Sequence, residues 1–577
     1  MPQENKYITS STNEFEFGKI ITNRIVFAIP YFQRSYVWNK ENLEEFHTDI
    51  LELEDNSNNI AFMGAIILYR RPEYQATQAT FYDVIDGQQR IITMTLYIIA
   101  LADKYVQLRE FEKAAEVLQV LFNTGRTSLP SNIKIYPCGK DIPQFNNILK
   151  RLFQNPRLSE AMEIVPKYLP DHEGGSTRGK LATQYGRIKQ KVGKYETIER
   201  LEELTSFLTD KVNFVQLDLN EPNDATKVFE RLNFRGVQVT VGDLVRNEIF
   251  VDSYTTPPDE LTQIYLEHWI PFYQRFGSNE KDFESFLFGS ALIHDSTINK
   301  SGIYTLLRGE WEDFEFPSEK IEFLKKYLEE FCEIKYGNSH KDFSQRIKDS
   351  LNLLRTAKVA DVVHPFLMKV LYENDKGNLE DDLVIEIINL IESYVVRRGL
   401  CGHEQTGMYK IFVSLWKKTK DDFTIDNIRT QIASYTTQPW PNNDDLKIAI
   451  YKINVSKARV LYHVLNEFEH SLDGDIPQNS FTFEHILPQS PSDNYPTFNE
   501  DDHEKYCHIL ANLIPVSGEL NSSIKNAPYA EKQERYARDS MFKSPRNLAE
   551  NHQTWNSADL DRRTDKLYKW IKNRWKY

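Results

Sequence analysis

At 577 residues, with 27% charged and 40% hydrophobic positions, the chain is too long for one ordinary core and too apolar for a disordered polymer, so two or three soluble globular domains are expected. A net charge of −14 argues against a uniformly basic nucleic-acid binder, although local patches rather than the sum decide binding. Cys138, Cys332, Cys401 and Cys507 show no CxxC spacing, which argues against a zinc cluster or disulfide framework and for a reducing cytoplasm. The start, MPQENKYITSSTNEF, lacks a basic-then-apolar signal pattern. The apolar-rich runs at 60–69 and 91–102 are too short to span a bilayer.

The first informative segment is Ile29-Pro30-Tyr31-Phe32-Gln33-Arg34-Ser35-Tyr36-Val37-Trp38, followed by Asn39 as N-cap of a helix over 40–53. Gln33 and Arg34 thus sit in a loop flanked by aromatics. An arginine held there suits a phosphate fork; the alternative is a loop packed on the helix with Arg34 solvated. Strand-like runs follow at 63–69 and 81–85. The second ends in Asp86-Gly87-Gln88-Gln89-Arg90 and passes into an apolar helix from Ile91 to about Tyr105. Asp86 and Gln89 have the spacing of a capping box. A glycine turn from a strand into a helix N-terminus is equally a place where phosphates bind, because free amides and the helix dipole point outward. Arg90 opposes that dipole, and a bound anion would offset its cost.

Residues 111–208 read as helices with polar breaks, including a flexible stretch at 171–177. Directly after it, Arg178, Lys180, Arg187, Lys189, Lys191 and Lys194 occur without an acidic residue, a candidate DNA-facing element. In Val228-Phe229-Glu230-Arg231-Leu232-Asn233-Phe234-Arg235-Gly236 a helix ends at Asn233 and turns at Gly236. A second helix is then capped by Thr240, with Asp243 at the box position. From 257 to about 420 the pattern is helical without a repeat period. Within it lies Tyr394-Val395-Val396-Arg397-Arg398-Gly399-Leu400-Cys401-Gly402-His403, where His403 and Cys401 lack a second ligand pair.

A last domain begins after Asp421. In Phe481-Thr482-Phe483-Glu484-His485-Ile486-Leu487-Pro488-Gln489 the alternating Phe481 and Phe483 mark a short strand that delivers Glu484 and His485 to its end, where Pro488 stops it. The apolar run 509–514, containing Asn512, is its expected hairpin partner, and Asn521 follows nine residues later. A carboxylate beside an imidazole suits phosphodiester cleavage: the carboxylate holds a hard divalent cation and neutral imidazole takes a proton from water. Lys525, Lys532 and Arg535 suit backbone phosphates. So does the final stretch, where Arg562, Arg563, Lys566, Lys569, Lys572, Arg574 and Lys576 are interleaved with Tyr568, Trp570, Trp575 and Tyr577. The alternative for that stretch is a helix with Leu567, Trp570 and Ile571 in the core.

The order Glu484-His485, Asn512, Asn521 resembles the HNH nucleases, whose site is a two-strand hairpin followed by a helix. Carried over by that resemblance, Glu484 and Asn521 are metal ligands for Mg2+ or another divalent cation, His485 is the general base and Asn512 braces the loop. Segments 29–38, 86–90, 228–247 and 394–403, taken with this C-terminal end, resemble the GmrSD family of modification-dependent (type IV) restriction endonucleases over residues 20–570. Ala511 departs from the glycine usual there. The resemblance implies an α+β, predominantly helical protein. Residues 1–250 would be a ParB/sulfiredoxin-like sensor domain, 251–425 a helical connection and 426–577 a ββα-metal (HNH) nuclease domain. It further implies a nucleoside triphosphate (GTP, ATP or CTP) held by Gln33, Arg34, Asp86, Gly87, Gln88, Gln89 and Arg90. DNA phosphates would meet Lys525, Lys532, Arg562 and Arg563. The expected partner is double-stranded DNA carrying a base or backbone modification, cut in the cytoplasm in phage defence by a protein that does not enter membranes and forms a homodimer. Two alternatives stand beside this: a nucleotide-switch DNA-binding protein with an inactive nuclease end, and an RNA-directed HNH toxin.

Overall fold

A computed structural model of the chain describes residues 9–17, 25–30, 33–54, 61–71, 80–123, 131–139, 141–162, 164, 166–169, 176–219, 240–251, 263–277, 279–472 and 481–577. It is predominantly helical with two small sheets, an α+β class. The chain divides into two compact units, residues 1–271 with 307–321 and residues 272–306 with 322–577. Among the described residues no helix is long and apolar enough to cross a membrane.

The first unit is built on a six-stranded mixed sheet. Its strands are β1 (Thr9–Glu16), β2 (Ile25–Ala28), β3 (Ala61–Arg70), β4 (Thr80–Asp86), β5 (Ile135–Tyr136) and β6 (Val212–Leu219), in the order β1-β6-β3-β4-β2-β5. Helix α1 (Lys40–Glu54) starts where Asn39 and Asn42 each accept the other's backbone N–H, at 3.0 and 3.1 Å. Helix α2 (Gln88–Gln107) is enclosed from Ile91 through Ala102, which is why its sequence is apolar on every face rather than striped. Helix α3 (Lys180–Val192) joins the same core through Leu181, Ile188 and Val192. The basic charges of α3 are partly neutralised, Lys191 by Glu44 at 2.7 Å and Lys189 by Asp103. At the start of α4 (Val241–Val251), Thr240 and Asp243 exchange backbone-to-side-chain bonds of 3.0 and 3.3 Å, the expected capping box.

The capping box expected between Asp86 and Gln89 does not form. Asp86 is still paired to Ile67 in the sheet, so the helix is capped one residue later by Gly87, in the left-handed region at φ 92° and with no side-chain cap. Gln89 is instead drawn sideways, accepting from Val37 N–H at 3.0 Å. Tyr31, Phe32, the 171–175 stretch and the 228–236 segment lie outside the described residues.

In the second unit, α5 (Asp381–Leu400) is buried along most of its length, and its arginines hold distant chain in place. Arg397 donates to the carbonyls of Trp575 at 2.7 Å and Pro441 at 3.0 Å and to Asn443 Oδ1 at 2.8 Å; Arg398 donates to Pro439 and Glu404. A two-stranded sheet, β7 (Thr482–His485) and β8 (Leu513–Val516), is followed by α6 (Gly518–Ile524), α7 (Tyr529–Asp539) and α8 (Ser557–Arg574).

Candidate active site

β7 and β8 run antiparallel, with Glu484 opposite Ile514 and His485 opposite Leu513. The expected strand at 509–514 is displaced toward the C-terminus. Residues 510–512 make a 3-10 turn, because the Asn512 side chain captures loop backbone that a ladder would otherwise pair. Its Oδ1 accepts Leu487 N–H at 2.7 Å, and its Nδ2 donates to the carbonyls of Leu487 at 2.8 Å and Cys507 at 2.7 Å. Fully buried, Asn512 is a positioning residue of the loop.

Successive side chains leave a strand on opposite faces, and Glu484 and His485 accordingly meet different surroundings. Glu484, 4% exposed, faces α7. Its Oε1 accepts from Lys532 Nζ at 2.6 Å and from the Tyr536 hydroxyl at 3.1 Å. Burial pushes the Glu484 carboxyl up and the Lys532 ammonium down, and their mutual attraction opposes both shifts. Lys532 also donates to the carbonyls of His485 and Ile486, so this closed pair braces the strand end.

His485, 9% exposed, contacts His508 Nδ1 through Nε2 at 3.2 Å and the Gln489 amide nitrogen through Nδ1 at 3.2 Å. Burial, with the nearby His508 and Lys532, holds the ring down to about 4, so it is neutral near pH 7. Gln489 Nε2 can only donate, which makes Nδ1 an acceptor and places the ring proton on Nε2, shared with His508. On α6, Asn521 Nδ2 donates to Thr482 Oγ1 at 2.9 Å and to the Phe483 carbonyl at 3.1 Å. That turns its Oδ1 away from the strand.

Two of the four expected phosphate contacts are corrected. The Lys532 side chain has no exposure because it is the counter-ion of Glu484. Arg563 is buried and donates to the Leu513 carbonyl at 3.2 Å, because it falls on the core face of α8 beside Leu567 and Ile571. Lys525 and Arg562 are exposed, Arg562 pairing with Asp559. With Lys566, Lys569 and Lys572, Arg562 forms a stripe of exposed positive charge along α8. His508 and Gln489 were assigned no role from sequence. The usable signal for His508 was a histidine just upstream of the loop that Asn512 closes.

In the first unit, the Gly87 turn carries the other expected group. Arg90 donates to the Met63 carbonyl at 3.2 Å and pairs with Asp86 at 3.5 Å, so part of the charge offsetting its place at the helix start is the protein's own. A Cβ on Gly64, itself at φ 94°, would stand 2.1 Å from the Arg90 guanidinium. Arg34 lies 3.9 Å from Asp243, which Arg246 also meets at 3.2 Å. Gln33 donates to the Ile85 carbonyl at 3.2 Å. Gln88 Oε1 is buried and has no hydrogen-bond partner among the described residues.

Residues 17–250 match the family model for the GmrSD restriction endonuclease N-terminal domain, and residues 440–570 match that for the GmrSD restriction endonuclease C-terminal domain. The chain belongs to the GmrSD restriction endonuclease family. No curated protein matches it. The GmrSD N-terminal match encloses every residue around the Gly87 turn, and the C-terminal match encloses the β7–β8 hairpin, α6, α7 and most of α8. Family membership makes this GmrSD chain a nuclease with DNA as its partner.

Proposed function

We propose that this GmrSD chain is an HNH-type endonuclease that cuts modified foreign DNA at the β7–β8 hairpin, in type IV phage restriction, and is regulated by a nucleoside triphosphate at the Gly87 turn of a ParB/sulfiredoxin-like domain. The observation that carries the cutter is the imidazole pair. With its Nε2–H given to His508 Nδ1 at 3.2 Å, a neutral His485 keeps a lone pair on Nδ1. Nδ1 takes the proton of the attacking water when that water replaces Gln489. His508 is the positioning residue that fixes the tautomer. The exposed stripe of Arg562, Lys566, Lys569 and Lys572, with Lys525, supports contact with backbone phosphates.

A hard divalent cation such as Mg2+ would neutralise charge on the scissile phosphate. Asn521 fits a ligand role, since its Nδ2 is committed and its Oδ1 is turned outward. Glu484 does not fit while Lys532 stands 2.6 Å from it, and no step is assigned to the cation. At the other end, the uncapped first turn of α2 and the Arg34 and Arg90 guanidiniums fit a triphosphate. The orphaned Gln88 Oε1 fits a ligand N–H or hydroxyl, and Gln33 and Gln89 hold the loop.

With Mg2+ present, cleavage of modified phage DNA should fall by roughly 100-fold or more in His485→Ala, and equal cleavage would remove His485 from the mechanism. Phosphate release from GTP, ATP or CTP should fall in Arg90→Ala; unchanged turnover would leave the Gly87 turn a plain helix start. The closed Glu484–Lys532 pair favours one second reading, a nucleotide switch whose nuclease end is inactive. Nucleotide affinity without any DNA nicking would establish it.

A further inference from the structure

Among the described residues, one group of three side chains brings metal-binding atoms together: His485, Cys507 and His508, whose ligand atoms all lie within 4.8 Å of one another. Cys507 and His508 follow the short helix Glu500–Tyr506. They are pinned from two sides, the Cys507 carbonyl by Asn512 Nδ2 at 2.7 Å and the His508 carbonyl by Val455 N–H at 3.1 Å. His508 Nδ1 stands 3.2 Å from His485 Nε2 and 4.0 Å from Cys507 Sγ. In a tetrahedral zinc site, metal–nitrogen and metal–sulfur bonds of about 2.1 and 2.3 Å place ligand atoms roughly 3.3–3.6 Å apart. The trio is therefore within a few tenths of an ångström of that spacing on its measured edges, and side-chain rotation supplies the rest.

The donor chemistry is two imidazole nitrogens and one sulfur. That set selects Zn2+ or another thiophilic cation over Mg2+, which prefers oxygen. We propose that His485, Cys507 and His508 form a binding site for Zn2+, and that its occupation switches the cutting hairpin off.

The switch rests on the reading of His485 as general base, and its proton balance is explicit. On binding, Cys507 releases its thiol proton to solvent and ligates as thiolate. The Nε2 proton of His485 moves to Nδ1, since a neutral imidazole carries one proton and the cation now holds Nε2. Nδ1 becomes N–H, the Gln489 amide beside it turning to offer its Oε1 as acceptor, and the ring no longer accepts a proton from water. The fourth position on the cation is left to a water.

The probe is Zn2+ with purified full-length protein, and Co2+ as its spectroscopic substitute. Wild type should bind about one equivalent of Zn2+. Its Co2+ form should show a thiolate-to-cobalt charge-transfer band, absent in Cys507→Ala and in Cys507→Ser. In the wild type, Zn2+ but not Mg2+ should also slow alkylation of Cys507, read by peptide mass spectrometry, a measurement independent of whether the variants fold. Zn2+ titrated over Mg2+ should suppress DNA cutting in wild type, and the Cys507 variants, which keep their Mg2+ activity, should need at least about tenfold more.

A wild type that binds no Zn2+, or a charge-transfer band that survives Cys507→Ala, overturns the site. Zn2+ that binds without slowing the cut overturns the switch. A Cys507-dependent cobalt band in a protein that never cuts DNA upholds the cation site and overturns the nuclease reading instead.

Discussion

Glu484 and Lys532 show how a residue's partner, more than its type, sets its role. Two charges enclosed 2.6 Å apart depend on each other, because removing one leaves the other desolvated and unpaired. Lys532→Met should therefore lower unfolding stability by about 3–5 kcal/mol, and the double change Glu484→Gln with Lys532→Met should recover most of it. Chemical denaturation of wild type and the two variants checks this. A double variant no more stable than Lys532→Met would show that the lysine matters for packing rather than for charge.

His364 makes a separate prediction about acid. Its ring is enclosed against Phe331 at 5.7 Å, its Nδ1 has no partner among the described residues, and Asp361 stands 3.7 Å from its Nε2. Burial lowers it from 6.5 to about 4, with the Asp361 charge opposing that shift. The unfolded chain then binds more protons at this site between those two values. The contribution is complete above pH 6.5 and is lost as pH falls toward 4, by roughly 2 kcal/mol at pH 5. Denaturation at pH 7 and pH 5 should show a smaller acid loss in His364→Gln than in wild type; equal losses would clear the ring of any part in it.

At the scale of elements, the hairpin is held as much by one side chain as by its ladder. Asn512 makes three buried hydrogen bonds to loop backbone, so Asn512→Ala strands one N–H and two carbonyls and should cost about 2–4 kcal/mol. DNA cutting should fall with it, because the Leu487 and Cys507 backbone flanks His485 and His508. A thermal melt and a cleavage assay on the same preparation check both halves, and undiminished cutting would remove Asn512 from the positioning of the pair.

Elements written as local patterns were legible in sequence. The runs at 63–69 and 81–85 are strands, and the apolar stretch from Ile91 is a helix. The helix begins three residues earlier than its apolar pattern because Gln88, Gln89 and Arg90 form its first turn. The run at 509–514 misled because apolar content does not distinguish a strand from a buried turn. It was the Asn512 amide, reaching residues 5 and 25 positions away, that decided between them.

At the scale of the molecule, the second unit is tied together by contacts between residues far apart in sequence. Trp575, fully buried, donates its indole N–H to Glu392 Oε1 at 2.8 Å, and its carbonyl accepts from Arg397 Nε. Glu392 also meets His463 at 2.8 Å and Arg574 at 3.0 Å. Trp575→Ala should cost about 3–5 kcal/mol and lower hydrogen-exchange protection in residues 381–400. Loss confined to the last few residues would show the C-terminus to be an independent flap.

Sequence by itself determined the strands at 63–69 and 81–85 and the helix that follows them, the order of the two motif-bearing ends and the family they announce, because periodicity, turn residues and short motifs are local. It also drew attention to Glu484, His485, Arg90 and the basic run of α8. Only the tertiary structure decided which charges face each other: Lys532 toward Glu484 instead of DNA, Arg563 into the core, His508 and Cys507 beside His485. Those pairings join residues 22 to 50 positions apart. They are fixed by strand pleat, loop closure and helix packing, none of which a spacing along the chain records.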